Sequence, residues 1–368
     1  MTDLLQYANT HTEEAIALLK ALACIPAPSG HEQARATFCR DWLRAQGATD
    51  TYIDDVNNVI CPIGVTSDNP LVVICAHSDV VFPDTEALPL CERDGRLYCP
   101  GIGDDTANVV ALLMAIKYSL AYKKAPRCGL LFVINSCEEG LGNLKGTKHL
   151  MSVYGSRVKE FLSFDCSARE IISDAVGSRR FRICADTVGG HSYFDFGNEN
   201  AIAVLSSLIT ELYQSEVPDG TTFNVGTITG GTSVNTIAQH AEMLFEIRSD
   251  HNAHLEQLQA HFDAVVSRYN GVSAEIVGER PCSCGVDQTA QQELINRAAG
   301  DIRTHFGFDP ILKAGSTDCN VPLSMGIPAV CFGCILGDGM HTREEYIEID
   351  SIENGLALAM QTVCRYFE

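Results

Sequence analysis

A histidine and an aspartate two residues apart, His77 and Asp79, close the apolar run Leu71–Ala76. In extended backbone, positions i and i+2 project to the same side, so one of the pair can bind a cation while the other holds it in place. A satisfied structural pair is the alternative for this stretch taken alone. Five more side chains of the same chemical kind follow: Asp104 in CPGIGDD, Glu138 and Glu139 in SCEEG, Asp165 directly after Phe161–Phe164, and His341 in GDGMHTREE. Imidazole nitrogens and carboxylate oxygens, with one carboxylate to bridge, are what a hydrolytic pair of divalent metal ions requires. Asp104 is the natural bridge, because the glycine-rich turn before it lets the backbone approach closely. Its ordinary alternative is to cap the helix that starts near Thr106. Glu138 and Glu139 are adjacent and cannot easily do the same task from the same direction. One can bind metal while the other takes a proton from water and returns it to a leaving nitrogen; as an isolated pair they would belong to a solvated loop or a helix start. His191 follows Gly189 and Gly190 in a separate part of the chain, which directs it toward substrate rather than metal.

The elements that must carry these residues read as an α/β sheet. Leu71–Ala76 is too short for an independent helix, is rich in β-branched residues and follows the turn-prone 67–70 segment, all signs of a strand buried on both faces. Gly129–Asn135 is a second such strand ending at SCEEG, and Phe161–Phe164 a third ending at Asp165, with a long apolar helix over Thr106–Lys123. Three strands thus deliver a histidine or an acid at their carboxyl ends, where open α/β sheets bind ligands. Upstream, the sequence predicts helices over Glu13–Ala23 and His31–Gln46 and a hairpin over Thr51–Ile63, and downstream a loop over Asp84–Gly103. Near residue 180 the texture changes. Strands at Arg179–Ala185, Thr221–Ile228, GGTSVNTIA, Ala241–Arg248 and Ser273–Gly278, with helices at Ala201–Glu216 and His254–Tyr269, predict an inserted α+β domain. The first domain resumes with a helix over Ala290–Phe306, the strand IPAVCFG and a last helix over Ser351–Tyr366.

Composition narrows the partners. A chain of 368 residues exceeds one typical core, so two domains are expected. The formal net charge of −21, without a long basic patch, argues against nucleic acid and anionic membrane. No basic segment leads into an apolar run at the N-terminus and no uncharged apolar stretch reaches membrane-spanning length, so a cytoplasmic protein is expected. Most of the sixteen cysteines sit inside apolar runs, where they act as small buried side chains rather than as disulfides or a thiolate metal site.

Taken together, HSD at 77–79, GIGDD at 101–105, CEEG at 137–140, GGHS at 189–192, GGTSVN at 230–235 and MHTREE at 340–345 resemble the M20 family of co-catalytic zinc peptidases and aminoacylases over nearly the whole chain. AGSTDCNVPLSMGIPAV at 314–330, with the C-terminal ligand loop, looks closest to the peptidase T-like branch. The resemblance implies an α/β phosphorylase/hydrolase-like zinc-peptidase domain over residues 1–179 and 286–368, and an inserted α+β lid and dimerisation domain over 180–285. It implies two divalent ions, Zn2+ by preference: His77 and Asp165 on the first, Glu139 and His341 on the second, Asp104 bridging. It makes Asp79 the orienting partner of His77, and Glu138 the general base and acid. His191 would stabilise the oxyanion in its own or the partner subunit's site, Asn235 and Arg248 would touch substrate, and the protein would be a homodimer. The implied activity is amide hydrolysis in short peptides, of tripeptidase-like aminopeptidase type. The alternatives are an N-acyl amino acid amidohydrolase and a non-catalytic metal- or peptide-binding component. One position departs from the pattern: many relatives have lysine two residues after the bridging aspartate, where this chain has Thr106.

Overall fold

A computed structural model describes residues 2–122 and 124–368. The chain divides into two compact units, one formed by the sequence up to Ala175 together with Cys284–Glu368, the other by Val176–Ser283.

The larger unit is built on an eight-stranded sheet in the order Tyr52–Ile53, Val59–Ile63, Gly129–Asn135, Leu71–His77, Val158–Phe164, Ala329–Phe332, Glu170–Ala175, Ile311–Gly315. The four strands from Gly129–Asn135 to Ala329–Phe332 run parallel to one another. Alternation along the central strand explains its unbroken hydrophobicity. Val72, Ile74 and Ala76 enter the core on one face, Leu71, Val73 and Cys75 the core on the other. Each large apolar side chain so buried contributes about 1.5–3 kcal/mol. The helix Ala107–Tyr122 is buried over every position from 107 to 116, and it packs against Thr2–Ala23 and Ser351–Cys364. That accounts for its lack of a polar face, and Lys123, where the sequence had it end, lies outside the described residues.

The chain visits the parallel strands out of spatial order. From Leu71–His77 it moves to Gly129–Asn135 on one side and then to Val158–Phe164 on the other. The central strand is therefore the switch point of the sheet, and the carboxyl ends there splay apart to leave room for a site.

Several expectations are corrected. The first helix begins at Thr2 rather than Glu13. The expected loop 84–103 contains the hairpin Cys91–Arg93 and Arg96–Tyr98, which joins Tyr346–Glu348 and Gly337–Asp338 in a small four-stranded sheet. These strands are too short to show an alternation in sequence. The strand Glu170–Ala175, the edge strand Ile311–Gly315 and the helix Lys145–Tyr154 were not legible.

The inserted unit is an antiparallel sheet in the order Thr221–Gly230, His240–Ser249, Gly177–Asp186, Val272–Arg280, with helices Ala201–Leu212 and Asn252–Val266 sharing its core. GGTSVNTIA is largely a turn. Gly230 ends the strand Thr221–Gly230, and Thr236–Ile237 pairs with Gly190–His191. No helix among the described residues is long and apolar enough to cross a membrane.

Gly355 gives a direct check on the packing. It lies within the helix Ser351–Cys364, and a Cβ there would stand 1.6 Å from the Cys334 carbonyl oxygen. Glycine-to-alanine in a helix interior ordinarily gains up to about 1 kcal/mol. Here overpacking of about 1–3 kcal/mol or more outweighs that gain. Gly355→Ala is expected to lower the thermal midpoint of the larger unit by several degrees in calorimetry; an unchanged or raised midpoint would refute this packing.

Candidate metal centre

The ligand-type residues converge at the carboxyl ends of the parallel strands. His77 ends its strand, buried, with Asp79 two residues beyond. Asp165 follows Val158–Phe164, and its backbone N–H is tied to Phe332. Glu138 and Glu139 lie just past Gly129–Asn135, in a bend made possible by Cys137 at φ 57° and Gly140 at φ 46°. Asp104 sits in the turn before the helix Ala107–Tyr122, entered through Gly101 at φ 75°. His341, also at positive φ, comes from the loop between the two short strands Gly337–Asp338 and Tyr346–Glu348.

Asp104 faces both histidines. Its Oδ1 is 3.0 Å from His77 Nε2 and its Oδ2 3.0 Å from His341 Nε2. Glu139 Oε1 is 3.1 Å from the same His341 nitrogen. Ligand atoms of His77, Asp104 and Glu139 lie within 4.8 Å of one another, as do those of His77, Asp105 and Asp165. The donor set is nitrogen and oxygen only, and the ion-pair partners of Asp104 and Glu139 are these histidines. The two groups of ligand atoms are candidate sites for two divalent cations. Asp105 serves differently. Its Oδ2 accepts the His77 backbone N–H at 2.8 Å and its Oδ1 the Asn108 amide at 2.7 Å, so both oxygens are engaged in holding the site.

Asp79 does not lie against the other carboxylates. Its Oδ1 accepts the backbone N–H of Glu138 and its Oδ2 that of Glu139, each at 2.9 Å, and Oδ2 also accepts the Ser29 hydroxyl at 2.6 Å. His77 Nδ1 is 3.4 Å from Asp79 Oδ1 and 3.1 Å from the Asp79 carbonyl oxygen. One buried carboxylate thus fixes the histidine and the glutamate pair together.

The electrostatics reflect the crowding. Burial would raise Asp104, but hydrogen bonds from His341 and His77 hold it well below the usual carboxylate range. Burial, reinforced by the charge on Asp104, drives Asp165 well up. Burial raises Glu139 to about 7 despite the hydrogen bond from His341. Hydrogen bonds to Asp104 and Glu139 push His341 up to about 11. Burial would lower His77, but Asp105, Asp104 and Asp79 overcome it and hold it well above its ordinary value.

The sequence reading missed the residues that hold the loops. Glu345 accepts the backbone N–H groups of Gly101, Gly103 and Asp104 at 2.7–2.8 Å, tying the His341 loop to the Asp104 turn. Glu32 accepts from Gly30 and Cys137, and buried Asp318 from Asn135 and Thr147. Glu345 and Asp318 stand inside segments already singled out, MHTREE and AGSTDCN, yet nothing in their spacing separates them from surface acids.

His191, Asn235 and Arg248 belong to the inserted unit. His191 Nδ1 accepts the backbone N–H groups of Tyr193 and Phe194, which places its proton on Nε2. Asn235 Oδ1 accepts the Ser233 hydroxyl, and Arg248 makes a two-point pair with Glu246 at 2.8 and 3.2 Å. All sixteen cysteines are free.

A doubly covered α/β sheet with an inserted α+β unit and a two-cation cluster at its switch point defines a di-metal hydrolase fold. Residues 73–365 match peptidase family M20/M25/M40, and the chain belongs to that family. It is similar to the succinyl-diaminopimelate desuccinylase of Alkalilimnicola ehrlichii, 27% identical over 83% of this chain and 86% of the relative. The enzyme of that name from Corynebacterium glutamicum is 24% identical over 95% of each. Among solved structures, a tripeptidase from Staphylococcus aureus superposes with a TM-score of 0.74 at 21% identity, covering 96% of this chain and 99% of that one. A di-peptidase from Saccharomyces cerevisiae reaches 0.77 at 16% identity, covering 99% and 98%.

Metal ions compete with protons for the ligand side chains. His77 is held well above its ordinary value, His341 is pushed up to about 11 and Glu139 to about 7, whereas ligation needs the neutral imidazole and the ionised carboxylate. Zinc binding is therefore expected to release protons at pH 7 and to tighten as pH rises from 6 to 8. Calorimetric titration in two buffers of different ionisation enthalpy measures this; identical heats in both would contradict it.

Proposed function

We propose that the protein is an N-acyl amino acid amidohydrolase that cleaves the amide between an acyl group and an amino acid nitrogen. The observation that carries this reading is the similarity to desuccinylases, which runs to 95% of both chains and stands at 24–27% identity. The likeness to peptidases is structural, at 16–21% identity in the two cases described, and speaks for the fold alone. Hydrolysis of short peptides by a peptidase T-like aminopeptidase is the second reading, favoured by the 314–330 segment. Both reactions are amide hydrolyses at a two-cation centre.

His77, Asp165, Asp104, Glu139 and His341 would hold the ions. When bound, two divalent cations, zinc by preference, polarise the scissile carbonyl and acidify the attacking water. Glu138 takes the proton from that water and delivers it to the departing nitrogen. Its backbone is anchored on Asp79, so the carboxyl group starts from a fixed position. Asp79 stays outside the cation shell and orients His77. His191, with its proton on Nε2, is suited to donate to the developing oxyanion, in its own or the partner subunit's site. Asn235 and Arg248 contact the substrate, the guanidinium matching a carboxylate. The chain forms a homodimer through its inserted unit, where Ile202 and, on the edge strand, Ile228 are exposed apolar side chains. The free cysteines suit a cytoplasmic setting.

The zinc-loaded protein, offered N-succinyl and N-acetyl amino acids alongside dipeptides and tripeptides, should turn over the acyl amino acids faster; a preference for tripeptides would select the second reading, and hydrolysis of neither would favour a binding protein. Glu138→Gln should retain both metals by elemental analysis while kcat falls about 100- to 10,000-fold. Unchanged turnover in that variant would remove Glu138 from its role. In sedimentation equilibrium the protein should weigh twice 39.9 kDa, and Ile228→Asp should give monomers; a monomeric parent protein would contradict the dimer.

A further inference from the structure

Arg35, in the helix Gln33–Ala45, is a fully buried charged side chain, 1% exposed. A guanidinium so buried is costly unless it is matched, and the usual match is a carboxylate in contact. Here the three hydrogen bonds it makes in the described residues all end on neutral oxygens. Nε donates to the Ile25 carbonyl at 2.7 Å, while Nη1 donates to the Ser78 carbonyl and to Thr106 Oγ1, each at 3.0 Å. Ser78 is the residue between His77 and Asp79. Thr106 closes the turn that carries Asp104 and Asp105, and its hydroxyl donates in turn to the Gly101 carbonyl at 2.6 Å.

One nitrogen therefore spans two segments, the end of the central strand and the ligand-bearing turn, which have no reason in sequence to keep a fixed spacing. The distance between His77 and Asp104 is set across that span. We propose that Arg35 is a positioning residue of the metal centre, holding the His77 strand end and the Asp104 turn at the separation that ligation needs. Its charge adds a further effect. Burial lowers the guanidinium to about 10, and the neighbouring thiols Cys39 and Cys99 and carboxylates Asp79 and Asp105 push it back up, so it stays cationic at neutral pH. A cation there repels an incoming metal ion. Removing the charge alone would thus tighten metal binding, whereas losing the span would loosen it, and the two roles predict opposite signs.

The test is zinc retention by the full-length protein against a chelator of known affinity, read without substrate, with circular dichroism to confirm folding. Arg35→Met is expected to raise the zinc dissociation constant at least tenfold and to lower kcat more than it changes KM. Because loss of a buried arginine can prevent folding, Thr106→Val supplies a second route: it leaves Arg35 in place and removes only the hydroxyl through which the turn is held. Thr106→Val should weaken retention in the same direction, and Thr106→Ser, which restores the hydroxyl, should recover it. Unchanged or tighter zinc binding in a folded Arg35→Met, or a Thr106→Val that behaves as the parent, would overturn the proposal. A parent protein that holds no zinc would instead refute the metal centre on which it rests.

Discussion

The geometry of the centre depends on the carboxylate of Asp79. It is fully buried, and it satisfies two consecutive backbone N–H groups at Glu138 and Glu139 that belong to no strand or helix. Leaving such donors unpaired in the interior costs about 1–3 kcal/mol each, and hydrogen bonds to a charged acceptor are about twice as strong as neutral ones. Burial alone would raise the Asp79 pKa, yet the hydrogen bond to His77, its charge and the Ser29 hydroxyl bring it below the ordinary value. The same group therefore stays ionised, holds the glutamate bend and stands beside His77.

The surrounding loops are held by the same device. Glu345 receives three N–H groups of the Gly101–Asp104 turn, Glu32 those of Gly30 and Cys137, and Asp54 those of Val56 and Asn58. Asn108 adds an uncharged brace, donating to Asp105 and to the Cys166 carbonyl while accepting from the Cys334 N–H. Backbone that would be mobile in water is thereby made a fixed frame for metal ligands, and the demand for unusual φ at Cys137, Cys166 and His341 is met inside it.

Crowding gives the frame its chemical bias. Asp165 and Asp105 are both driven up by burial and by the carboxylates around them, whereas Asp104, placed between two histidines, is driven down. Among the described residues the ion pairs of Asp104 and Glu139 are with histidine, and a pair of cations would relieve the crowding of carboxylates. The overall charge of −21 is not the cause, since the effect is confined to a few buried groups.

The sequence by itself determined the strands that end at His77, Asn135 and Phe164, because a two-face-buried strand must be apolar at every position and stop where polar chemistry begins. It also determined the ligand types, the adjacency of Glu138 and Glu139, and the change of texture that marks the inserted unit. Only the tertiary structure decided that Asp104 lies between His77 and His341, that Asp105 accepts from the His77 N–H and the Asn108 amide, and that Arg35, Glu345 and Glu32 hold the loops. His77 and Asp104 are 27 positions apart and Gly101 and Glu345 are 244 apart, and no local periodicity records such a partner. Short hairpins and edge strands escaped for a related reason: Arg96–Tyr98 and Ile311–Gly315 owe their conformation to neighbours in the sheet, not to a pattern of their own. For His77 and Asp79, two residues apart on one strand end, the sequence left a structural pair and a metal-site pair equally open. Only folding can bring the distant Asp104 carboxylate to His77, and the backbone N–H groups of Glu138 and Glu139 to Asp79.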